Sequence, residues 1–550
     1  MLRVRWLGRV PYREALALQQ ALFEHGTQQH LLLLEHPHVF THGPNADLAT
    51  NLRCSPAEVG AELVAVKRGG DVTYHGPGQL VGYPILQLPL DSGPAAHVTG
   101  IEQLIIEVLT ELGLPDVGRF EGYPGVWVQP GGPRPRKICA IGVRVSRGRT
   151  MHGFALNVTT DLAYMRQHIV PCGIDAFDVT SLAEEGIDVT LESVVDRVVR
   201  LGSQRWGAGS VERQDVAWRH RPGDLTPFSR GEGPGEPVRL LGRLAQAGVS
   251  GGVEISERKP DWLRPRVRHT PEVMNLKKTL RQLELVTVCE EAGCPNLSEC
   301  WSDGTATFMV LGERCTRACG FCLVDTSKPE PPAADEPERV AEAVARLGLR
   351  HAVLTMVARD DLADGGMAHV AACVRAIRQR CPDTAIETLI SDAKGDPASL
   401  EVLFEARPDV LNHNIESVAR LQRAVRPSAG YARSLAVLSW AKAAGLTVKS
   451  GMVLGMGESV DEVDGCLADL AGIGVDIVTL GQYLRPTSHH LPVARWIEPA
   501  EFDRWKRIGE GFGIGHVEAS PLTRSSYHAR QAAEHLDAVP VMLSSGRLST

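Results

Sequence analysis

Half of the cysteines in this chain lie in one short stretch, and this clustering limits the possible folds more than any other feature. The sequence has 550 residues and twelve cysteines, and six of these fall between Cys289 and Cys322. They form two triplets, C-x4-C-x5-C at Cys289, Cys294 and Cys300, and C-x3-C-x2-C at Cys315, Cys319 and Cys322. In a reducing compartment such clustering indicates metal binding rather than disulfide bridges.

The second triplet follows a predicted strand that begins near Thr307. Its cysteines are therefore expected at the C-terminal edge of the strands, where α/β barrels hold their active sites. Three thiolates can ligate three irons of a [4Fe–4S] cluster and leave the fourth iron open. An open iron can chelate S-adenosylmethionine, and electron transfer to the sulfonium then yields a 5′-deoxyadenosyl radical. Zinc is the alternative interpretation of this spacing, although zinc normally takes four ligands.

Strands and helices alternate regularly in residues 259–550. Predicted strands begin near Thr307, His351, Ala385, Asp409, Thr447 and Asp476. Predicted helices lie between them at residues 338–347, 370–380, 398–405, 432–444 and 460–470. About six consecutive right-handed βα units indicate an open or partial (β/α)6 barrel.

Residues 1–220 show a different pattern, in which strands and helices mix without a regular period. Helices are predicted at 13–25 and 101–112, a buried strand at 31–34, and paired strands over 138–158. This mixture favours an α+β fold. Residues 221–258 are rich in proline and glycine and predict a flexible linker, so the expected domains are 1–220 and 259–550.

Charge and hydropathy limit the partners and the compartment. The net charge is −8 and the pI is near 6.2, which gives no reason to expect nucleic acid or an anionic membrane as a partner. The N-terminus lacks the apolar region of a secretory signal, and apolar runs such as residues 31–34 are far shorter than the ~18 residues that cross a bilayer. A cytoplasmic protein is expected.

The second half of the chain resembles the lipoyl synthases, which are radical S-adenosylmethionine enzymes. The first cysteine triplet resembles their auxiliary-cluster motif, and Arg524, Ser525, Ser526 and Tyr527 resemble their C-terminal signature. The same resemblance extends to residues 359–362, 412–414, 426–427 and 481–487. Two positions depart from the family pattern: Ser391, where proline usually precedes the aspartate, and the segment Ala519-Ser520-Pro521, which lacks the usual glycine before its proline.

The resemblance implies sulfur insertion at C6 and C8 of a protein-bound octanoyl chain. It implies two [4Fe–4S] clusters, one on Cys315, Cys319 and Cys322 and an auxiliary one on Cys289, Cys294, Cys300 and the hydroxyl of Ser526. S-adenosylmethionine is the implied cosubstrate, with Gly455, Gly457 and Glu458 as its expected contacts. A reduced ferredoxin or flavodoxin is the implied electron donor.

The first half holds a loop, residues 68–80, that is dense in glycine and polar side chains. Glycines allow the backbone to approach a ligand closely, although such a loop alone is weak evidence. Farther on stand Lys137 and Cys172, which lies between a proline and a glycine. A nearby ammonium would favour the thiolate of such a cysteine, but most single cysteines are inert and buried.

Together these segments resemble the lipoyl (octanoyl) transferases, which are related to biotin and lipoate ligases. The resemblance implies that Cys172 is an acyl-thioester nucleophile and that Lys137 lowers its pKa and moves a proton. It also implies an acyl pocket formed by Arg68, Gly69, Gly70, Asp71, Val72, Thr73, Tyr74, His75, Ala140, Ile141, Gly142, Gly153, Phe154 and Ala155. The implied partners are octanoyl-acyl carrier protein, the lipoyl domains of 2-oxoacid dehydrogenases and the glycine cleavage H protein.

The two resemblances support each other, because an octanoyl transferase makes the substrate of a lipoyl synthase. Three alternatives stay open. A relative of biotin synthase would lack the Cys289 triplet and the ending at Tyr527. A scaffold with an inactive first half would not need Lys137 and Cys172, and a zinc-stabilised second half would contain no iron.

Overall fold

The structure is a computed structural model that describes residues 1–171, 176–216, 243–249, 252–253, 257–264, 271–287 and 296–538. The chain divides into two compact units, Met1–Pro222 and Gly223–Thr550. Across the described ranges, no helix combines the length and the apolar character needed to cross a membrane.

The first unit is built from twelve described strands and five described helices. The strands are β1 (Leu2–Arg9), β2 (Gln29–Glu35), β3 (Val39–His42), β4 (Glu62–Ala65), β5 (Thr73–His75), β6 (Gln79–Ile85), β7 (Val117–Phe120), β8 (Tyr123–Val128), β9 (Arg136–Ser146), β10 (Arg149–Asn157), β11 (Asp178–Val179) and β12 (Val211–Asp215). The helices are α1 (Tyr12–His25), α2 (Leu48–Asn51), α3 (Pro94–Glu111), α4 (Ala163–His168) and α5 (Leu191–Trp206).

A mixed sheet forms the body of the first unit. Its order is β12-β1-β2-β6-β10-β9-β8-β7, with β11 added to β9, while β4, β3 and β5 form a smaller sheet. β1 pairs in parallel with β2, whereas β2, β6, β10 and β9 pair in antiparallel fashion. The apolar run of residues 31–34 is fully buried in β2, and α3 and α5 pack their aliphatic faces into the same core. The α+β prediction is confirmed.

The second unit alternates between strands and helices. Its strands are β13 (Val286–Thr287), β14 (Thr305–Val310), β15 (His351–Met356), β16 (Ala385–Leu389), β17 (Val410–Asn412), β18 (Thr447–Leu454), β19 (Ile477–Gln482) and β20 (His516–Ala519). Its helices are α6 (Pro271–Gln282), α7 (Leu297–Ser302), α8 (Glu336–Leu347), α9 (Met367–Arg380), α10 (Pro397–Glu405), α11 (Gln422–Val425), α12 (Tyr431–Ala443), α13 (Val460–Gly472), α14 (Pro499–Gly511) and α15 (Ala529–Ala538).

The strands of the second unit form one sheet in chain order from β13 to β20. β14 to β20 are parallel, and β13 pairs in antiparallel fashion with β14. No pairing among the described strands joins β20 back to β13, so the sheet is a partial barrel as predicted. All six predicted strands are present, and the structure adds β13, a seventh parallel strand β20, and α14 before it.

Local sequence signals set the helix ends. Ser459 and Glu462 form a reciprocal capping box at the start of α13. Gly348, with φ of 57°, ends α8 in the left-handed conformation that glycine adopts without cost. Because β14 to β20 run parallel, their C-terminal ends lie along one edge of the sheet.

Part of the predicted linker is packed against the second unit. Leu244 and Ala247 are buried, and the Val253 N–H donates to the Val493 carbonyl at 2.7 Å. A Cβ atom at Gly457 would collide with Val249, so this valine lies directly on the glycine. The expectation of a free linker as far as residue 258 is therefore wrong for 243–249 and 252–253, because their apolar side chains find a surface to cover. Residues 217–242 lie outside the described residues.

Candidate functional sites

The second cysteine triplet lies in the loop that follows β14. Backbone hydrogen bonds anchor this loop at several points: Cys315 N–H donates to Asp325 O at 2.8 Å, Gly320 N–H to Val425 O at 2.9 Å, and Leu491 N–H to Gly320 O at 2.9 Å. A Cβ atom at Gly320 would lie 2.6 Å from the Leu491 side chain, so this close approach requires glycine. Cys315, Cys319 and Cys322 are all partly exposed.

An arginine inside the triplet binds two carboxylates. The Arg317 guanidinium donates to both Asp360 carboxylate oxygens at 2.7 and 2.8 Å, and to Asp392 Oδ1 at 2.6 Å. Burial alone would raise the pKa of Asp392, but Arg317 outweighs that effect and lowers the pKa to about 2. No sequence motif predicts this cluster, and Ser391 and Asp392 stand out in the sequence only as a departure from the family pattern. A charged residue between two candidate ligands was the available signal.

Two arginines place positive charge near the Cys319 thiol. Burial raises the pKa of Cys319, while Arg426 and Arg317 oppose that rise. Arg426 is held by hydrogen bonds from its guanidinium to the carbonyls of Asn414 and Ile415. Desolvated thiolates need such compensation, so this surrounding suits an anionic cluster.

One backbone hydrogen bond ends on a sulfur of the triplet. The backbone N–H of Arg317 donates to the Cys315 sulfur at 3.4 Å. In the parts of the chain that the structure describes, no three His, Cys, Asp or Glu side chains converge on one metal position. Ligation of a [4Fe–4S] cluster by Cys315, Cys319 and Cys322 therefore stays a prediction.

A cavity in the second unit brings together two predicted ligands that are far apart in the sequence. Its volume is about 140 Å³, and Cys300 of α7 and Ser526 of the C-terminal motif both line it. The other lining residues are Glu299, Asp303, Thr305, His528 and Gln531. Cys289 and Cys294, the remaining predicted ligands, lie outside the described residues.

The C-terminal motif is also connected to the strand ends of the barrel. Asn414, two residues beyond the end of β17, donates through Nδ2 to Ser525 Oγ at 2.6 Å and to Glu416 Oε1 at 3.0 Å. The structure thus places residues 412–414 beside the C-terminal motif, although nothing in the sequence predicts that these two segments are in contact.

The glycine turn after β18 uses its glutamate internally. The Glu458 carboxylate accepts hydrogen bonds from the Gly455 N–H and, at 3.1 Å, from the Met456 N–H. Burial raises the pKa of Glu458, and these two N–H groups oppose the rise. Gly455 and Gly457 have φ values of 107° and 114°, which only glycine adopts readily. Glu458 thus shapes the turn, and its contact with S-adenosylmethionine stays a prediction.

A buried ion pair lies inside the barrel. Lys449 Nζ donates to both carboxylate oxygens of Glu387 at 3.0 Å, and Asn412 Nδ2 donates to the same carboxylate at 3.0 Å. Burial alone would raise the pKa of Glu387, but Lys449 lowers it to about 2. These contacts join side chains of three adjacent strands, β16, β17 and β18.

In the first unit, the structure brings the three predicted pocket segments together. Gly142 of β9 pairs with Gly153 of β10, and Ile141 and Ala140 pair with Phe154 and Ala155. The Gly69 N–H donates to the Val143 carbonyl at 3.4 Å, and a Cβ atom at Gly142 would lie 3.2 Å from Arg68. The glycines let the loop lie directly on the two strands.

Buried histidines adjoin this pocket. His75 Nδ1 is hydrogen-bonded to Gln79 Oε1 at 2.8 Å, and Gln79 Nε2 donates to Asn157 Oδ1 at 2.9 Å. Burial lowers the pKa of His75 well below its usual range, and burial with Arg68 lowers that of His152 to about 3. Both imidazoles are therefore neutral at pH 7.

Lys137 lies at the start of β9, opposite Trp127 of β8. The side chain is buried, and its ammonium lies 4.8 Å from the centre of the Trp127 ring, within cation–π range. The Thr180 N–H donates to the Lys137 carbonyl at 2.9 Å. The Lys137 side chain is thus held in a fixed, largely dry position.

Cys172 lies outside the described residues, but the chain on both sides of it is fixed. The Val170 N–H donates to the Asn51 carbonyl at 2.9 Å, and Asn51 Nδ2 donates to Asp71 of the glycine-rich loop at 2.8 Å. On the other side, Val179 of β11 pairs with Lys137.

Comparisons with known proteins agree with this division. Residues 309–470 match the family model of the radical SAM superfamily. The chain is 49% identical over 319 residues to the lipoyl synthase of Rubrobacter xylanophilus, covering 58% of this chain and 95% of that protein. It is 50% identical over 292 residues to the lipoyl synthase of Mycobacterium tuberculosis, covering 53% and 94%. This chain belongs to the lipoyl synthase family.

The first unit of this lipoyl synthase family member matches a different family model. Residues 11–201 match the family model of the lipoyl protein ligase A/B catalytic domain. A solved structure described as a bi-partite lipoate protein ligase and its E2 lipoyl domain, from Thermoplasma acidophilum, matches with 19% identity and a TM-score of 0.33, covering 39% of this chain and 85% of that chain. The predicted fusion of two lipoate-related domains is confirmed.

Proposed function

We propose that this lipoyl synthase is a bifunctional enzyme of lipoate biosynthesis. Its first unit acts as an octanoyl-[acyl-carrier-protein]-protein N-octanoyltransferase, which moves octanoyl to a lysine of an acceptor domain. Its second unit then inserts sulfur at C6 and C8 of that octanoyl chain. The shared cavity of Cys300 and Ser526 carries the proposal, because an ordinary radical S-adenosylmethionine barrel has no need of a second ligand set there.

In the second unit the chain's own residues hold two ligand sets. Bound clusters would supply reductive cleavage of S-adenosylmethionine at Cys315, Cys319 and Cys322, and sulfide from the auxiliary set. Arg317 holds the first set by its bonds to Asp360 and Asp392. A hydroxyl ligand such as Ser526 binds iron less firmly than a thiolate, which suits a cluster that gives up sulfide.

In the first unit the proposed nucleophile is Cys172. Its thiolate attacks the thioester carbonyl of octanoyl-acyl carrier protein, the carrier thiolate leaves, and an enzyme thioester forms. The acceptor lysine amine then attacks this thioester, an amide forms, and the Cys172 thiolate is released. The Lys137 ammonium favours the Cys172 thiolate and gives its proton to the leaving carrier thiolate. The resulting neutral Lys137 amine then takes up the proton that the acceptor lysine amine loses when the amide forms.

The proposed partners follow from these two reactions. Octanoyl-acyl carrier protein supplies the acyl group, and lipoyl domains of 2-oxoacid dehydrogenases and the glycine cleavage H protein accept it. A reduced ferredoxin or flavodoxin supplies electrons to the second unit. The proposed location is the cytoplasm, where a reducing environment keeps cysteine thiols available for metal.

Trapping the acyl-enzyme tests the transferase half. The protein is incubated with octanoyl-acyl carrier protein, and its intact mass is measured before an acceptor is added. A thioester-linked octanoyl group should form on the wild type and on Cys54→Ser, which changes a partly exposed cysteine elsewhere, but not on Cys172→Ser. An octanoyl thioester on Cys172→Ser, recognised by its cleavage with neutral hydroxylamine, would refute the assignment, because a serine ester resists that treatment.

A second pair of variants tests the synthase half. Cys319→Ala should stop formation of 5′-deoxyadenosine from S-adenosylmethionine, whereas Cys381→Ala, a partly exposed cysteine away from both triplets, should not. Production of 5′-deoxyadenosine by Cys319→Ala would show that the cluster is held elsewhere.

A further inference from the structure

The C-terminal segment that carries Ser526 is attached to α7 by side-chain contacts on both sides of the serine. Before it, Asn296 Nδ2 donates to the Leu522 carbonyl at 2.6 Å. After it, the Tyr527 hydroxyl donates to Glu299 Oε1 at 3.2 Å. The Glu299 side chain is 60% exposed, so water competes for this second contact and weakens it.

A third contact between the two segments is the ion pair of Arg530 and Asp303. Arg530 Nη2 donates to Asp303 Oδ1 at 2.9 Å and Arg530 Nε donates to Asp303 Oδ2 at 3.2 Å. Gln531 Nε2 adds a third bond to Asp303 Oδ2 at 3.1 Å. The side chains of Arg530 and Asp303 are only 17% and 30% exposed. A two-point, charge-assisted pair with this little solvent fixes orientation as well as distance.

The pair connects the two segments that carry the predicted ligands. Asp303 directly follows α7, the helix of Cys300, and Arg530 lies in the first turn of α15, shortly after Ser526. Asp303 and Gln531 line the same cavity as Cys300 and Ser526. The ion pair is therefore a brace across the wall of the proposed auxiliary site.

We propose that Asp303 and Arg530 are positioning residues that hold the Ser526 hydroxyl at the iron which the cysteines leave open. This inference depends on the proposed role of Ser526 as a ligand. Without the brace, Ser526 would spend less time near that iron, and the iron would be more open to competing ligands. The serine itself, the cysteines and the overall fold would be unchanged.

Iron release measures this directly without any catalytic assay. The full-length protein carrying Cys315→Ala, Cys319→Ala and Cys322→Ala keeps only the auxiliary ligands. After anaerobic loading, the rate of iron transfer to a coloured chelator is recorded per loaded cluster. Asp303→Asn and Arg530→Gln should each release iron about fivefold faster, which corresponds to about 1 kcal/mol at 1.36 kcal/mol per factor of ten.

An epistasis test separates this inference from the proposed function. Ser526→Ala should release iron fastest, and adding Asp303→Asn to Ser526→Ala should change nothing more. If Ser526→Ala releases iron fast but Asp303→Asn releases it at the original rate, the brace is wrong. If Asp303→Asn still accelerates release in the Ser526→Ala background, it acts elsewhere and the brace is also wrong. If Ser526→Ala itself has no effect, the ligand role in the proposed function fails first.

Matched controls and a metal-free measurement complete the test. Glu534→Gln removes the other ion pair of Arg530, and Asp464→Asn removes a two-point pair with Arg504 remote from the cavity in the chain. Neither should alter iron release. In the protein without clusters, Asp303→Asn should speed hydrogen exchange of peptides containing residues 522–531, while Asp464→Asn should not. If these peptides exchange at the same rate in Asp303→Asn and Asp464→Asn, Asp303 and Arg530 do not hold the segment and the proposal is wrong.

Discussion

Replacing Asp392 with asparagine removes a fully buried charge that is paired with an arginine of the cysteine loop. Asp392 is fully buried, and its Oδ1 accepts the Arg317 guanidinium at 2.6 Å. Arg317 is itself buried, and its ion pair with Asp360 would remain. Asparagine preserves the size and one acceptor oxygen, so the variant isolates the effect of charge.

The size of the effect follows from the pKa of Asp392. Arg317 lowers it from 3.8 to about 2, and each unit corresponds to about 1.4 kcal/mol. Removing one partner of a buried pair costs about 3–5 kcal/mol when the other is left alone, but Asp360 still compensates Arg317 here. We therefore expect the cysteine loop to lose about 2 kcal/mol of local stability, which is about a 30-fold change in its opening equilibrium.

Hydrogen exchange of the full-length protein without clusters measures this opening. The amides of Cys315 and Gly320 donate to Asp325 and Val425, so they exchange only when the loop opens. Glu342→Gln, which breaks an exposed helix pair with Arg346, is the control and should have little effect. Unchanged exchange in Asp392→Asn would show that the Arg317 cluster does not hold the loop.

Three further results are expected. The pKa values of Asp392 and Glu387 are both lowered to about 2, so the two ionised carboxylates stabilise the fold fully above about pH 4.5. Circular dichroism should show this stability being lost as the pH falls from about 4.5 towards 2. The stability of the Asp392→Asn variant should depend less on pH over this range. Lys137→Met should raise the pKa of Cys172 and shift its alkylation rate to higher pH; an unchanged profile would leave Lys137 a structural role. Cys294→Ala should still form 5′-deoxyadenosine but no lipoyl product, and sulfur insertion by this variant would place the sulfur donor elsewhere.

Regular periodicity made much of the second unit predictable. Six strands follow from short apolar runs between amphipathic helices, and the structure has them all. β20 was missed because His516–Ala519 is short and only partly buried, which gives no apolar run to detect. α14 was missed together with it, since a helix without a following strand completes no βα unit.

Spacing along the chain predicted ligands, but not the side chains that hold them. Arg317 and Asp392 are far apart in sequence, and only the fold shows that they meet. Asp303 and Arg530 are a similar case, because neither belongs to a cysteine or serine motif. The linker prediction was wrong in part because it rested on glycine content, which suggested a flexible chain. Leu244 is buried, and Val249 packs against Gly457 of the second unit.

A coupled assay with single-site variants tests the central claim most directly. Full-length enzyme, loaded with iron and sulfide, is incubated with octanoyl-acyl carrier protein, an unmodified lipoyl domain, S-adenosylmethionine and a reductant, and the mass of the domain is followed. The wild type should yield octanoylated and then lipoylated domain, Cys172→Ser neither, and Cys319→Ala only octanoylated domain. Mixing the two variants should restore the lipoylated product. If the mixture yields no lipoylated domain although each variant retains its other activity, the account of two independent sites that act one after the other is contradicted.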